Sequence, residues 1–448
     1  MMPGQESPRD ATALVPVYPF NRPGQDIVLY DGPLLEVDGG EFNGSVRVRC
    51  GSELDIVWRL DDIPPMPWAL NSFDEPDLRL QVHLPSGVHP VDGPRRTLDT
   101  GRFNAPTLGN GEARLRRVVL HWMNFPAIRS PGVIEQPEAG GRRRWTGRWQ
   151  VTVDLWQLTM DCRPDHSDVW AVLREENNFV MTHVMEITRV DGADFTPGDV
   201  EPLLQALHFG ASFGFGRWVA PAIPVGFDSG DAIVWQRWVP AFCDPARKGA
   251  LAWLFESRSH DLHDLLTRAY AAFADPDREH TTRLLLSMAI ESNHTGRVEQ
   301  RIMTAFSAIE LLTWVTLVLD EGMSKSRYDN LRAEGRLRRL LATARVPLEV
   351  DSSLQPALAR FARAQAPDGV DGPTAVSRIR NRLVHPKMPR DEVHDIKGLL
   401  TDIWLLTRHY LNMLILKWLN YGGSYQTVLA PGGWAGDTRP VPWVVASK

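Results

Sequence analysis

The chain has 448 residues, enough for two or three domains with cores of their own. Hydrophobic residues make up 43% and charged residues 23%, the balance of an ordinary globular protein rather than a disordered or fibrous one. A net charge of −6 excludes a generic polyanion binder, so any nucleic-acid surface has to be a local patch.

Only three cysteines occur, Cys50, Cys162 and Cys243, far apart and without a CxxC pair. That argues against a disulfide framework and a structural zinc site, and it fits a reducing cytoplasm. No metal or cofactor is expected. The first twenty residues carry acids and prolines and lack the basic-then-apolar order of a secretory signal. The longest apolar runs, near 309–319 and 411–416, are too short or too interrupted to span a bilayer and read as buried helices.

In chain order, residues 1–25 are polar, contain Pro and Gly, and read as a loose arm. From Asp26 apolar and polar residues alternate, as in Ser45-Val46-Arg47-Val48-Arg49 and Leu78-Arg79-Leu80-Gln81-Val82. Period-two runs divided by Gly, Pro and Asp clusters predict an antiparallel sandwich or barrel over 26–245. Segments 169–174 and 179–190 read as its last strands, 202–209 as a helix, the Gly-rich stretch after it as a turn or a close approach to a neighbouring backbone, and 232–238 as one more strand. From about residue 246 the apolar spacing becomes three to four, predicting helices over 251–257, 262–274, 281–290, 298–319, 331–344, 354–364, 375–384 and 391–420. The fold class is therefore α+β: a β-rich N-terminal half, a connector over 246–282, an all-α bundle over 283–423 and a tail over 424–448.

Chemistry concentrates at Arg380-Asn381-Arg382-Leu383-Val384-His385-Pro386. Val376, Ile379 and Leu383 fall at helical spacing, and Pro386 stops the helix near His385. Asn381 then lies one turn before His385 on the same face, with Arg380 beside it. A permanently charged guanidinium, an amide and a titratable imidazole at one helix end suit work on a phosphodiester. Arg and His also decorate helix ends merely to complement the dipole.

An Arg-Asn-x-x-x-His helix end followed by a long amphipathic helix resembles the HEPN superfamily of helical domains. Phe306-Ser307-Ala308-Ile309-Glu310-Leu311-Leu312 resembles the acidic early helix of that fold, and Ile415-Leu416-Lys417-Trp418-Leu419-Asn420-Tyr421 the last helix of its ApeA-like branch. The likeness covers about 283–423, and the N-terminal half resembles that branch's β-rich partner domain more weakly. The resemblance implies metal-independent RNA cleavage, with Arg380, Asn381 and His385 catalytic and a homodimer that places two motifs at one cleft. It further implies dimer burial of helices such as 403–416. Arg336, Arg338, Arg339 and Arg345, with Arg378 and Arg382, would form a basic rim for RNA, tRNA included, or simply a solvated helix face. Glu310, among apolar neighbours, would pair with Arg380 or Arg382, as support for the motif or as a plain core ion pair. An anti-phage or toxin-type effector is the implied role; a catalytically silent RNA-, nucleotide- or protein-binding module is the alternative.

Three competitors stand beside it. Gly210-Ala211-Ser212-Phe213-Gly214 matches the hydrolase elbow GxSxG, but a helix-like run precedes it where a strand is needed. His260 and His263 lie about one turn apart without a third ligand, and read as a polar helix start. Eleven of the sixteen tryptophans precede residue 254, so Trp145, Trp149, Trp156, Trp235 and Trp238 beside Arg142-Arg143-Arg144 either bind a ligand or fill the β core. The trigger or ligand of the β-rich half is left open.

Overall fold

The computed structural model describes residues 11–37, 40–62, 77–138, 140–246, 251–256, 258–294, 296–366, 369–385, 392–429 and 437–444. The chain divides into two compact units, 1–204 with 219–248, and 205–218 with 249–448.

The first unit is β-rich. Its larger sheet runs, edge to edge, through Ala11–Thr12, Gly132–Glu138, Gly141–Val153, Trp156–Cys162, Met181–Arg189, Arg117–Met123, Ala220–Phe227, Ile233–Trp238 and Ala105–Gly109. All neighbours pair antiparallel except Ala11–Thr12 against Gly132–Glu138. A smaller antiparallel sheet joins Ile27–Val37, Gly40–Cys50, Leu54–Leu60 and Thr100–Arg102, and Asp77–Leu84 pairs with Gly87–Pro94 as a hairpin. One core serves both sheets, with Val46, Trp58 and Leu80 from the smaller elements and Val119, Met181 and Trp238 from the larger. Alternation at Ser45–Arg49 thus reports one buried face. Strand Arg117–Met123 is buried almost throughout, as a strand covered on both faces should be.

Segment 169–174 is not a strand. It lies in the helix His166–Glu175, which buries Val169 and Leu173 one turn apart. Its apolar run is short enough to satisfy either period. The strand expected next is present, over Met181–Arg189.

The second unit is helical, with Ser259–Phe273, Glu279–Glu291, Val298–Trp314, Ala333–Thr343, Pro356–Gln365, Gly372–Val384 and Leu399–Trp418 as its longer elements. The Gly-rich stretch, expected either to turn or to lie close against a neighbour, forms a π-helical segment over Ala206–Gly210 running into the helix Ala211–Phe215. A Cβ on Gly210 would come within 3.2 Å of Leu266 and Ala269, so glycine here lets two helices approach closely. Segment 251–257 is non-helical at its described residues. Its backbone is tied elsewhere, Leu254 N–H to the Gly214 carbonyl and Gln426 N–H to the Trp253 carbonyl.

Leu399–Trp418 is the central helix. Every residue from 403 to 416 is buried by the chain's own elements, chiefly Val298–Trp314. This corrects the expectation that 403–416 forms a dimer surface: that helix has no free face to offer. The expected 391–420 helix also starts late, at Leu399, behind Gly398 in a left-handed conformation (φ +86°). Val298–Trp314 continues as a π-helical turn to Asp320, giving a 23-residue helix with an 18-residue stretch of mean hydropathy 1.9, long and apolar enough to cross a membrane by length and composition. The sequence places this helix over 298–319 and makes only its apolar run near 309–319 too short to span a bilayer. Half of the 18-residue stretch is buried in the unit, with Ile302, Phe306 and Ile309 inward.

Candidate functional site

The motif helix is Gly372–Val384. Asp371 caps its start, accepting the Thr374 N–H at 3.0 Å, and the Arg338 guanidinium donates to the same carboxylate at 2.7 Å. Burial alone pushes the Asp371 carboxyl up; hydrogen bonds from Arg338 and Thr374 outweigh it and leave it below the usual range. Pro373 occupies the first turn, where a missing N–H costs nothing. Ala375, Val376 and Ile379 turn inward, and this stripe fixes which residues face solvent.

The helix ends at Val384, and His385 N–H bonds the Asn381 carbonyl at 2.8 Å. Pro386, expected to stop the helix, lies outside the described residues. Asn381 and His385 are exposed and Arg380 half-buried. Arg380 Nη2 donates to Glu310 Oε2 at 3.0 Å and Nη1 to Asn381 Oδ1 at 3.1 Å, with the guanidinium 5.1 Å from the Phe306 ring centre. Of the two partners the sequence allowed Glu310, this is Arg380, although Glu310 is part-exposed rather than buried. The result is an oriented guanidinium and amide, with an imidazole one helical turn further on.

The other arginines divide. Arg336 lies 4.3 Å from the Tyr328 ring centre and donates to the Leu331 carbonyl; Arg338 serves Asp371; Arg339 pairs with Glu321 at 2.7 Å. These three brace the fold. Arg382 lies 5.4 Å from the Phe361 ring centre, and the exposed Arg378 reaches Gln365 at 3.5 Å. Of the arginines named for a basic rim, Arg378 and Arg382 are the two carried on the motif helix itself.

Residues 110–249 match the family described as the YopA central domain, and residues 275–440 the YopA C-terminal domain. The chain is 25% identical over 367 residues to "SPbeta prophage-derived uncharacterized protein YopA" of Bacillus subtilis (strain 168), covering 80% of this chain and 79% of that protein. No solved structure matches. Glu310 and the whole motif helix fall within the C-terminal match.

The competing sites fare differently. Ser212 is buried inside the helix Ala211–Phe215, so no strand presents its hydroxyl as an elbow would. His260 and His263 open the helix Ser259–Phe273, with His260 Nε2 at 3.3 Å from the buried Asp261. Trp149, Trp156, Trp235 and Trp238 are buried in the β core, and Trp145 donates to the Cys162 carbonyl at 2.8 Å. Arg142 and Arg144 each reach Glu135 at 3.0 Å, and Arg143 lies 3.7 Å from Glu138.

One constellation escaped the sequence reading. Cys162, His166 and His183 are all buried, and their ligand atoms lie within 4.8 Å of one another. Cys162 ends one strand opposite His183 on the next, and His166 begins the following helix. The Cys162-x-x-x-His166 spacing was the visible signal; His183 joins only through strand pairing.

Proposed function

We propose that the helical unit is a HEPN-like, metal-independent endoribonuclease acting at Arg380, Asn381 and His385. What carries this reading is the guanidinium of Arg380, held between Glu310 and Asn381 at a helix end where His385 stands exposed. In this reading the ribose 2′-oxygen bonds to phosphorus as the bond to the 5′-oxygen breaks, leaving a 2′,3′-cyclic phosphate. One His385 takes the 2′-hydroxyl proton and the His385 of a second copy protonates the leaving oxygen. Arg380 donates to the crowded phosphorane, and Arg378 and Arg382 meet the RNA backbone. The cytoplasm is its place of action. The Bacillus subtilis relative is prophage-derived by name, which favours a toxin-type or anti-phage role.

A second reading is a silent RNA- or protein-binding module. It is favoured by the Glu310 carboxylate, which already neutralises Arg380.

The deciding experiment incubates total RNA and a tRNA pool with the full chain in EDTA, beside His385→Ala and Arg380→Ala. The nuclease reading expects cyclic-phosphate ends, with each variant slower by on the order of 100-fold or more. Cleavage that survives His385→Ala removes the assigned chemistry. RNA retained on the wild type without cleavage, and without toxicity in cells, supports the binding module.

A further inference from the structure

The β-rich unit carries a second constellation, independent of the ribonuclease reading. Cys162 lies at the end of Trp156–Cys162, in register with His183 on the neighbouring strand, and His166 follows four residues later as the first residue of His166–Glu175.

Hydrogen bonding fixes which nitrogen of each imidazole is free. The His166 Nε2 lies 3.3 Å from the Phe125 carbonyl, which only accepts, so Nε2 carries the proton and Nδ1 the lone pair. Thr182 spends its hydroxyl proton on the Trp122 carbonyl and accepts from Phe125 N–H. The contact from His183 Nδ1 to that hydroxyl, at 3.1 Å, is therefore a donation, and Nε2 of His183 is left basic. Each imidazole thus has one nitrogen anchored to the protein and one free, the arrangement that orients histidine ligands at metal centres.

Protonation and space agree with this. Burial lowers both histidines from their ordinary range, His183 furthest with His166 adding to it, so both are neutral at physiological pH. Burial pushes the Cys162 thiol up to about 12, with Arg163 opposing, so a metal has to displace its proton. Gly147, at φ +133°, leaves room at the sulfur's strand; a Cβ there would meet Cys162 Cβ at 2.7 Å. A cavity of about 620 Å³ is lined by Cys162, His166, Gly147, Arg129 and Ser167 among others.

We propose that Cys162, His166 and His183 form a zinc site with three protein ligands and a fourth position open to this cavity. A thiolate with two imidazoles suits a borderline-soft divalent ion, and zinc sites with three protein ligands leave the fourth place to water or a small ligand. Ordinary zinc bond lengths place tetrahedral donors about 3.3–3.6 Å apart. Binding therefore closes the 4.8 Å cluster by roughly 1 Å, within the reach of side-chain rotation.

The test uses the full chain without a histidine tag, stripped with EDTA and titrated with Zn(II) or Co(II). One equivalent should remain after gel filtration, and zinc uptake near neutral pH should release about one proton, from the thiol alone. The cobalt form should show a thiolate-to-cobalt charge-transfer band in the near ultraviolet. That band should vanish in Cys162→Ser and persist in a Cys50→Ala, Cys243→Ala double variant, which keeps Cys162 as its only thiol. His183→Gln should weaken binding at least tenfold. Folded wild type that retains no equivalent overturns the site, as does loss of the band in the double variant with its circular dichroism unchanged. Should Cys162→Ser fail to fold, the double variant alone decides. RNA cleavage in EDTA bears only on the other unit's motif.

Discussion

At the scale of single residues, two arginines on the helical unit show how differently one charge can be placed. Arg380 has an acid, an amide and an aromatic face around it. Being part-exposed, that ion pair contributes little to stability, and its value lies in orientation. Arg408, in the middle of the central helix, is 2% exposed, and only its Nη2 is satisfied, by the Leu251 carbonyl. Its Nε and Nη1 have no partner among the described residues. Burial, with Arg301 nearby, lowers it to about 9. The buried cation thus opposes folding at neutral pH. Arg408→Met removes the charge and leaves Leu251 without its donor, a loss of about 1–3 kcal/mol against a gain of about 1–4. The expected outcome in a urea titration is an unchanged or higher midpoint. A loss above about 2 kcal/mol would instead mean that an anion accompanies Arg408 in solution.

At the scale of elements, the motif helix is set by its first turn. Asp371 satisfies an otherwise orphaned N–H and holds Arg338, so Asp371→Ala should cost about 1–2 kcal/mol. Thermal unfolding at neutral pH checks it. The Asp371 carboxyl sits below its unfolded range, so this contribution is present above roughly pH 4 and fades as pH falls further. Much of this level was legible beforehand. Long periodic helices and alternating strands announce themselves because one face is buried over many residues, as in Gly372–Val384 and Gly40–Cys50. An ion pair at Glu310 was legible only as a choice between Arg380 and Arg382, because both arginines lie one step off the apolar stripe; the fold selects Arg380. Segment 169–174 was not, since its few apolar residues fit both periods. Neither was 251–257, whose backbone partners, Gly214 and Gln426, are remote in sequence. The cysteine–histidine cluster failed for the same reason: Cys162 and His183 meet through strand register, which no local spacing encodes.

At the scale of the whole molecule, each unit holds a buried neutral histidine, and this sets how the protein meets acid. In the β-rich unit His121 donates from Nδ1 to the Ile223 carbonyl at 3.1 Å and accepts the Val17 N–H on Nε2 at 3.2 Å. A second proton would abolish that acceptor, and burial lowers the ring to about 4. In the helical unit burial, with Arg439 adding to it, lowers His409 to about 4 as well. Unfolded histidines take up protons near pH 6.5, well before these folded ones do. The unfolded chain thus binds more protons between roughly pH 6.5 and 4, and stability falls as pH drops through that window. Each histidine should cost about 2 kcal/mol by about pH 5, while carboxylates held low, such as Asp371, still contribute fully. Metal-free His166 and His183 act in the same direction. Urea midpoints at about pH 7 and about pH 5 should therefore differ clearly, and His121→Gln, whose amide can serve both bonds, should narrow the gap for the β-rich unit. Equal midpoints at the two pH values would mean that water reaches these rings in the native state, and the burial of His121 and His409 would have to be abandoned.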